Sequence, residues 1–451
     1  MGKKWLSVLT AALVASSVLA GCSGGSDKTS ATENADSKGN APTSTTEPVK
    51  IKFLGWEKSS VYQPAIDAFE QKNPEIKVEY VPLVENDSNE SIKKIDLMYA
   101  SGEDFDVFTL NSAPAFSQRA ANGMLEPLDD YLSKEGVKYE DEYKAEQQKV
   151  NDKRYSLPGK FGPWFILLNK SKLDEAGLPV PTNWTWDDFR DYAKKLTKGE
   201  GAGKTYGAHF HSWKDYFLLN LYSAPENQGI MKDDGINLNA DNPLMKKSLE
   251  LRYEMEKTDK SSTPYQDVIT QKIPYRDQYF QQKGVMMPIG PWMISEAGGT
   301  EKIPATFVSA FAPWPTNNKG DDIYSYGGAD PLVVSSKSKH KEESYKFLRY
   351  LSTEGMVLTK QLSAWKKADL DKEVDEIISS TLSPDKIDKA SLVNTLSVTK
   401  LPVPPVTVSY AADLENAYIA EADNYILGVT DIDKTMENIK TNLQKIIDAN
   451  K

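Results

Sequence analysis

The chain has 451 residues, with 54 Lys and Arg against 65 Asp and Glu and a formal net charge of −11 at pH 7. That acidic balance argues against a nucleic-acid partner and against adhesion to anionic lipid. A single cysteine, Cys22, excludes a disulfide within the chain, and 39% hydrophobic residues with 10% aromatics suffice for sizeable cores, spread over two lobes at a loose prior of about 150 residues each.

The amino terminus reads as a secretory signal over residues 1–21. Lys3 and Lys4 supply a positive start, and Trp5 to Leu19 are apolar or small throughout. The run is too short and too rich in small residues for a comfortable transmembrane helix, and a cleavage-like site, Leu19-Ala20-Gly21-Cys22, follows it. That site resembles the bacterial lipobox. The resemblance implies that the Cys22 thiol receives a diacylglyceryl group, that the chain is cut before it, and that the new amino terminus is acylated, with palmitate among the chains. Two or more chains anchor stably where one does not. Residues 22–47 carry no large apolar residue after Cys22 and predict a flexible tether. No later apolar run reaches transmembrane length, so the body is expected outside the membrane.

Folded structure is expected from Val49. Val49, Ile51 and Phe53 alternate with Lys50 and Lys52, a strand that ends at Gly55-Trp56. A helix follows over about 61–71, broken by Asn73-Pro74. Ile76, Val78 and Tyr80 alternate again, a helix covers about 88–101, and Phe105 to Thr109 is a short buried strand. This β-α-β-α-β order predicts an α/β sheet with ligand groups just beyond the strand ends, where Trp56, Glu57 and Asn111 lie. Phe165 to Leu168 is an apolar strand, and Asp174 to Gly177 ends a short helix. Thr185, with Asp188 three residues on, caps a helix to about Thr197. Lys232 to Ile236 reads as a hairpin turn, 243–257 as a helix, Val285 to Ile289 and Pro331 to Ser335 as strands, and Lys341 to Ser352 as a helix. Beyond Glu354 the chain is mostly helical, with breaks at Ser383-Pro384 and at Pro402 to Pro405.

Four blocks then carry a resemblance. They are Asp106-Val107-Phe108 through Gly123 to Asp129; Leu168-Asn169-Lys170 through Gly177-Leu178-Pro179 to Trp186-Asp187-Asp188-Phe189; Gly284 to Met287 with Gly290-Pro291-Trp292; and Gly327-Gly328 through Ser338 to Phe347. In this order they resemble the extracellular solute-binding proteins of ABC importers, carbohydrate type, although Leu168 replaces the family's usual Tyr. The last hundred residues match less clearly. The resemblance implies the periplasmic-binding-protein type II fold, with two discontinuous α/β lobes around a hinge and a ligand cleft. The expected lobes are 48–157 with 313–352, and 158–312 with 353–451. Crossings are expected near Leu157–Gly159, Phe311–Pro315 and Leu351–Gly355. It also implies no catalysis, no cofactor, a monomer, a carbohydrate ligand (an oligosaccharide before a monosaccharide), and a permease pair with its ATPase as partners.

A sugar presents apolar ring faces and a rim of hydroxyls, so its site needs aromatic platforms and a few polar groups. With nine Trp and 22 Tyr, position must discriminate. The resemblance implies that Trp292 is a ring platform. Trp56, Trp164, Trp213, Tyr326 and Tyr410 are the further aromatic candidates, and Glu57 and Asn111 the leading polar ones. Arg276, Asp330 and Lys160 are secondary, as are Trp314 and Trp365. Trp184 and Trp186 are expected to be core. His209 and His211 are a thin basis for a metal site, since only His340 remains elsewhere. The rival readings are a binding protein for a peptide or polyamine, and a surface glycoside hydrolase or lyase. No Gly-x-Ser-x-Gly elbow or phosphate loop supports an enzyme, and 65 acids make chance carboxylate pairs inevitable.

Overall fold

A computed structural model describes residues 47–145, 149–402 and 408–450. The signal, Cys22, most of the tether and much of the Pro402 to Pro405 break lie outside the described residues. Eleven strands occur within them: β1 Val49–Gly55, β2 Ile76–Pro82, β3 Val107–Thr109, β4 Lys149–Val150, β5 Lys153–Arg154, β6 Ser156–Pro163, β7 Phe165–Asn169, β8 Tyr206–Ala208, β9 Gly284–Ile289, β10 Ser309–Ala312 and β11 Gly327–Val334. They form a five-stranded sheet ordered β2-β1-β3-β11-β6, a four-stranded sheet ordered β10-β7-β9-β8, and the small β4-β5 pair.

Both large sheets are covered on both faces, which explains their near-continuous apolar runs. In the first, Phe53, Val107 and Val334 face one core, while Leu54, Phe108 and Val333 face the other. In the second, Ile166, Leu168 and Met286 face one core, and Phe165, Leu167 and Met287 the opposite one. The parallel β1–β2 and β1–β3 pairs are connected through helices α1 Ser59–Lys72 and α2 Ser88–Ser101. Asp87 caps α2 by accepting from the Glu90 amide at 3.0 Å, and Gly102 closes it at φ 79°. Helix α3, Ala113–Ala121, starts at Ser112, which accepts from the Ala115 amide. The Thr185–Asp188 capping box forms at the start of Trp186–Leu196. Trp184 and Trp186 are buried, donating to the Pro313 carbonyl and the Ser223 hydroxyl. Among the described residues no helix is long and apolar enough to cross a membrane.

The passages between sheets differ from the expected positions. β6 stays in the first sheet through Pro163, and β7 begins the second at Phe165, so only Trp164 separates them. Ser309–Ala312 is a strand of the second sheet, and Trp314 lies in that sheet's core, donating to the Leu219 carbonyl. The return therefore comes later than Phe311–Pro315, with β11 from Gly327. Met356 still packs in the first lobe and Leu362 in the second, which puts the third passage after the expected Leu351–Gly355.

Candidate functional site

A cleft of about 660 Å³ opens where the two sheets meet. Its first-lobe wall comes from residues just past the carboxyl ends of parallel strands, where side chains and backbone are free of the ladder. Trp56 and Glu57 follow β1, and Asn111 follows β3. The Asn111 amide donates to the Ser88 hydroxyl at 2.8 Å and to Asn89 at 2.9 Å, joining the start of α2 to this wall. The wall is polar: Asn86, Asp87, Ser88, Asn89, Asn111 and Ser112 all line it.

The opposite wall is aromatic. His211 and Trp213 follow β8, and Trp292 follows β9. The Trp164 and Trp292 rings meet edge to face at 5.5 Å, Trp213 and Trp292 lie 6.0 Å apart, and Trp164 packs on Tyr326 at 5.6 Å. Behind this layer Tyr222 stacks on Tyr326 at 4.4 Å, its hydroxyl donating to Asp215. Gly290 makes the arrangement possible. A Cβ there would come within 2.0 Å of the Trp292 ring.

The floor carries charge. Lys160, on β6, places its ammonium 2.9 Å from Glu57 and 3.4 Å from Asp330. Asp330 falls where the β11–β6 register shifts, between Ala329 and Pro331. Pro331 cannot donate to a ladder, and a bulge re-aims the side chain at its extra residue. Burial pushes the Asp330 carboxyl up, with Lys160 offsetting part and Glu57 adding. Burial also opposes ionisation of Glu57, but Lys160, helped by Gln361 and Arg276, outweighs it and holds that carboxyl low. The two acids diverge because Lys160 is closer to Glu57. Arg276 makes a two-point pair with Glu296 at 2.5 and 2.7 Å, and Lys214 is paired with Glu415. Burial, then the Arg252 charge, lowers His211 to about 4, so its ring is neutral near pH 7.

Trp56, Glu57, Asn111, Trp164, Trp213, Trp292 and Tyr326 thus line one cavity, together with Arg276, Asp330 and Lys160. Tyr410 does not; it precedes the helix Ala411–Ile426 and packs on the second-lobe core, while Ala411 and Leu414 reach the wall. Trp365 is also elsewhere, donating to Glu142. His209 bonds to Thr263 and His211 packs on Trp213, so the two rings serve different neighbours. Sequence reasoning missed Tyr275, His211 as a wall residue, the 86–89 turn and the Lys360-Gln361 segment. The turn alone had a signal, in its cluster of small polar residues before a helix.

Two α/β lobes exchanging strands around such a cleft define the periplasmic-binding-protein type II fold. The model of the bacterial extracellular solute-binding protein family matches residues 55–357, and the chain belongs to that family. It is 28% identical over 232 residues to the multiple sugar-binding protein of Streptococcus mutans, a match covering 46% of this chain and 50% of that relative, about half its length. An ABC transporter extracellular-binding protein of Pyrococcus horikoshii is 23% identical over 412 residues, covering 84% of this chain and 88% of the relative. An ABC substrate-binding protein of Listeria monocytogenes in complex with cycloalternan superposes with a TM-score of 0.73 at 21% identity, covering 89% of this chain and 99% of that one. A sugar transporter from Rhizobium etli in an open conformation gives 0.68 at 22% identity, covering 88% and 99%.

Proposed function

We propose that this chain is the lipid-anchored substrate-binding component of a carbohydrate ABC importer. The signal 1–21 is removed, Cys22 carries the lipid, and residues 22–47 tether the body at the outer face of the membrane. The two lobes close on an oligosaccharide and present it to the permease subunits and their ATPase. A ligand that touches both lobes favours the closed arrangement by its differential affinity for it.

One observation carries the reading: the cleft sets ring faces against a polar wall. Trp164, Trp213 and Trp292 suit the C–H faces of sugar rings, and Asn111, Glu57 and their neighbours suit hydroxyls. The two relatives and two neighbouring structures include a sugar-binding protein and a cycloalternan complex, which supports a saccharide cargo. Glu57 and Asp330 act here as hydroxyl acceptors held by Lys160, not as an acid and a nucleophile. The test is titration of the full chain with oligosaccharides. Tryptophan emission should change and the melting temperature rise, with no new reducing ends or unsaturated products. Turnover, or binding of a peptide or polyamine in place of any saccharide, would displace the proposal.

A further inference from the structure

We infer that the cleft selects neutral saccharides and excludes those bearing uronic acids, because the partly buried cations of its wall are already committed to acids of the same wall. The inference rests on the carbohydrate reading above and narrows its substrate class.

A carboxylate ligand is recognised by a free cation, best of all a two-point Arg fork. Among the described residues the lining holds four basic ones, Lys160, Lys214, Arg276 and Lys360, against six acidic ones. Lys160 sits between Glu57 and Asp330. Arg276 has spent its Nε and one terminal nitrogen on Glu296. Lys214 is taken by Glu415. Lys360 is the remaining one, and it is exposed on the rim, where water screens it. The neighbouring ring of His211 is uncharged near neutral pH.

The floor therefore has one ammonium for two carboxylates. A uronate entering it would face that excess charge, or would have to take Lys160 from a half-buried acid and leave the acid unpaired, which is strongly unfavourable. A hydroxyl meets no such barrier. Each ionised carboxylate offers about four lone-pair positions, and Lys160 does not fill them. The same groups that repel a uronate accept a hydroxyl proton donor.

The full chain, purified in detergent, is screened by thermal shift and calorimetry against two sets of trisaccharides. The neutral set is maltotriose, cellotriose, xylotriose, arabinotriose and mannotriose. The acidic set is trigalacturonate, an alginate trimer and an aldouronic xylo-oligosaccharide. Binding confined to the neutral set is expected. A uronate that binds as tightly as the best neutral sugar overturns the inference and leaves the carbohydrate reading standing. Failure of both sets overturns that reading, and the inference with it. The best neutral sugar is then compared with its C6-oxidised uronate, or, if it is a pentose oligomer, with the aldouronic xylo-oligosaccharide, and the acid should bind at least about tenfold more weakly. In Glu57→Gln, or in Asp330→Asn should the first variant fold poorly, that gap should narrow; an unchanged gap would show that floor charge does not set it.

Discussion

The Trp292 indole nitrogen donates to the Tyr275 hydroxyl across 3.2 Å. Tyr275 in turn meets Trp213 edge to face at 5.6 Å and His211 at 5.7 Å. A ring fixed at its edge by a hydrogen bond and on its flanks by other rings loses little freedom when a ligand arrives. Preorganisation of this kind converts contact area into affinity.

Trp292→Ala should abolish sugar-induced changes in emission and melting temperature, a loss of about 2–4 kcal/mol of binding, while the fold survives. Tyr275→Phe keeps the ring but drops the anchor and should cost about 1 kcal/mol. Calorimetric titration measures both. Undiminished binding by the alanine variant would remove Trp292 from the site.

Gly290→Ala tests the same wall from behind. The new methyl would overlap the Trp292 ring, which a Cβ approaches to 2.0 Å. The ring must swing away, so sugar affinity should fall with only a small change in melting temperature. Wild-type affinity would mean that the ring can sit elsewhere without consequence.

Lys160→Met leaves Glu57 and Asp330 facing each other with only Arg276, itself paired with Glu296, as a counter-charge. Removing one partner of a buried ionic group costs about 3–5 kcal/mol, an upper bound for this half-buried trio. The carboxyls would then titrate above their unfolded values, so their penalty grows as pH rises and fades in acid. The deficit in melting temperature should be larger at pH 8 than at pH 5. An equal deficit at both would assign the loss to packing alone.

Glu373 accepts from the Ser363 amide at 3.0 Å and is 3% exposed. Burial pushes its carboxyl up to about 7 from an ordinary 4.5; Lys144 and the Ser363 amide offset this in part, and Glu376 and Asp369 add to it. A raised carboxyl stabilises the fold fully below the unfolded value, and that contribution is lost as pH rises from 4.5 to about 7. Glu373→Gln keeps the acceptor without the charge. It should gain about 1–3 kcal/mol at pH 8 and nothing at pH 4.5, as followed by denaturant unfolding.

Cys22→Ser should move the chain from the membrane fraction to the soluble one, since the proposed anchor is its acyl chains. Extraction that still requires detergent would count against lipidation at this residue.

The β1–α1–β2–α2–β3 run was legible because the period-two strands β1 and β2 alternate with helices, the first of them ended by Asn73-Pro74, before the short apolar run of β3. Among the antiparallel strands, β7, β9 and the end of β11 were legible as apolar runs, but β6 and β10 were not. Ser156–Pro163 contains Pro158, Gly159, Gly162 and Pro163 and reads as a loop; pairing with β11 makes it a strand. Ser309–Ala312 is short and apolar, and its neighbour β7 decides its fate. The cleft followed the same division. Trp56, Glu57, Asn111 and Trp292 could be found from strand ends. Tyr275 and Gln361 could not, because they reach the cleft from segments with no periodic signal of their own. Tyr410 was misplaced because it sits one residue outside a helix whose next turn reaches the wall.

Strand β11 lies between β3 and β6 in the first sheet, although those strands precede it by some 160 residues or more of chain. Until residue 334 has been made, β3 has no partner on that side and β6 has none at all in the sheet. The first lobe cannot close its ladder early, and the high sequence separation of its contacts slows the closure further. A growing chain of this protein therefore carries an unfinished first sheet through most of its synthesis, while every strand of the second sheet already has its partners.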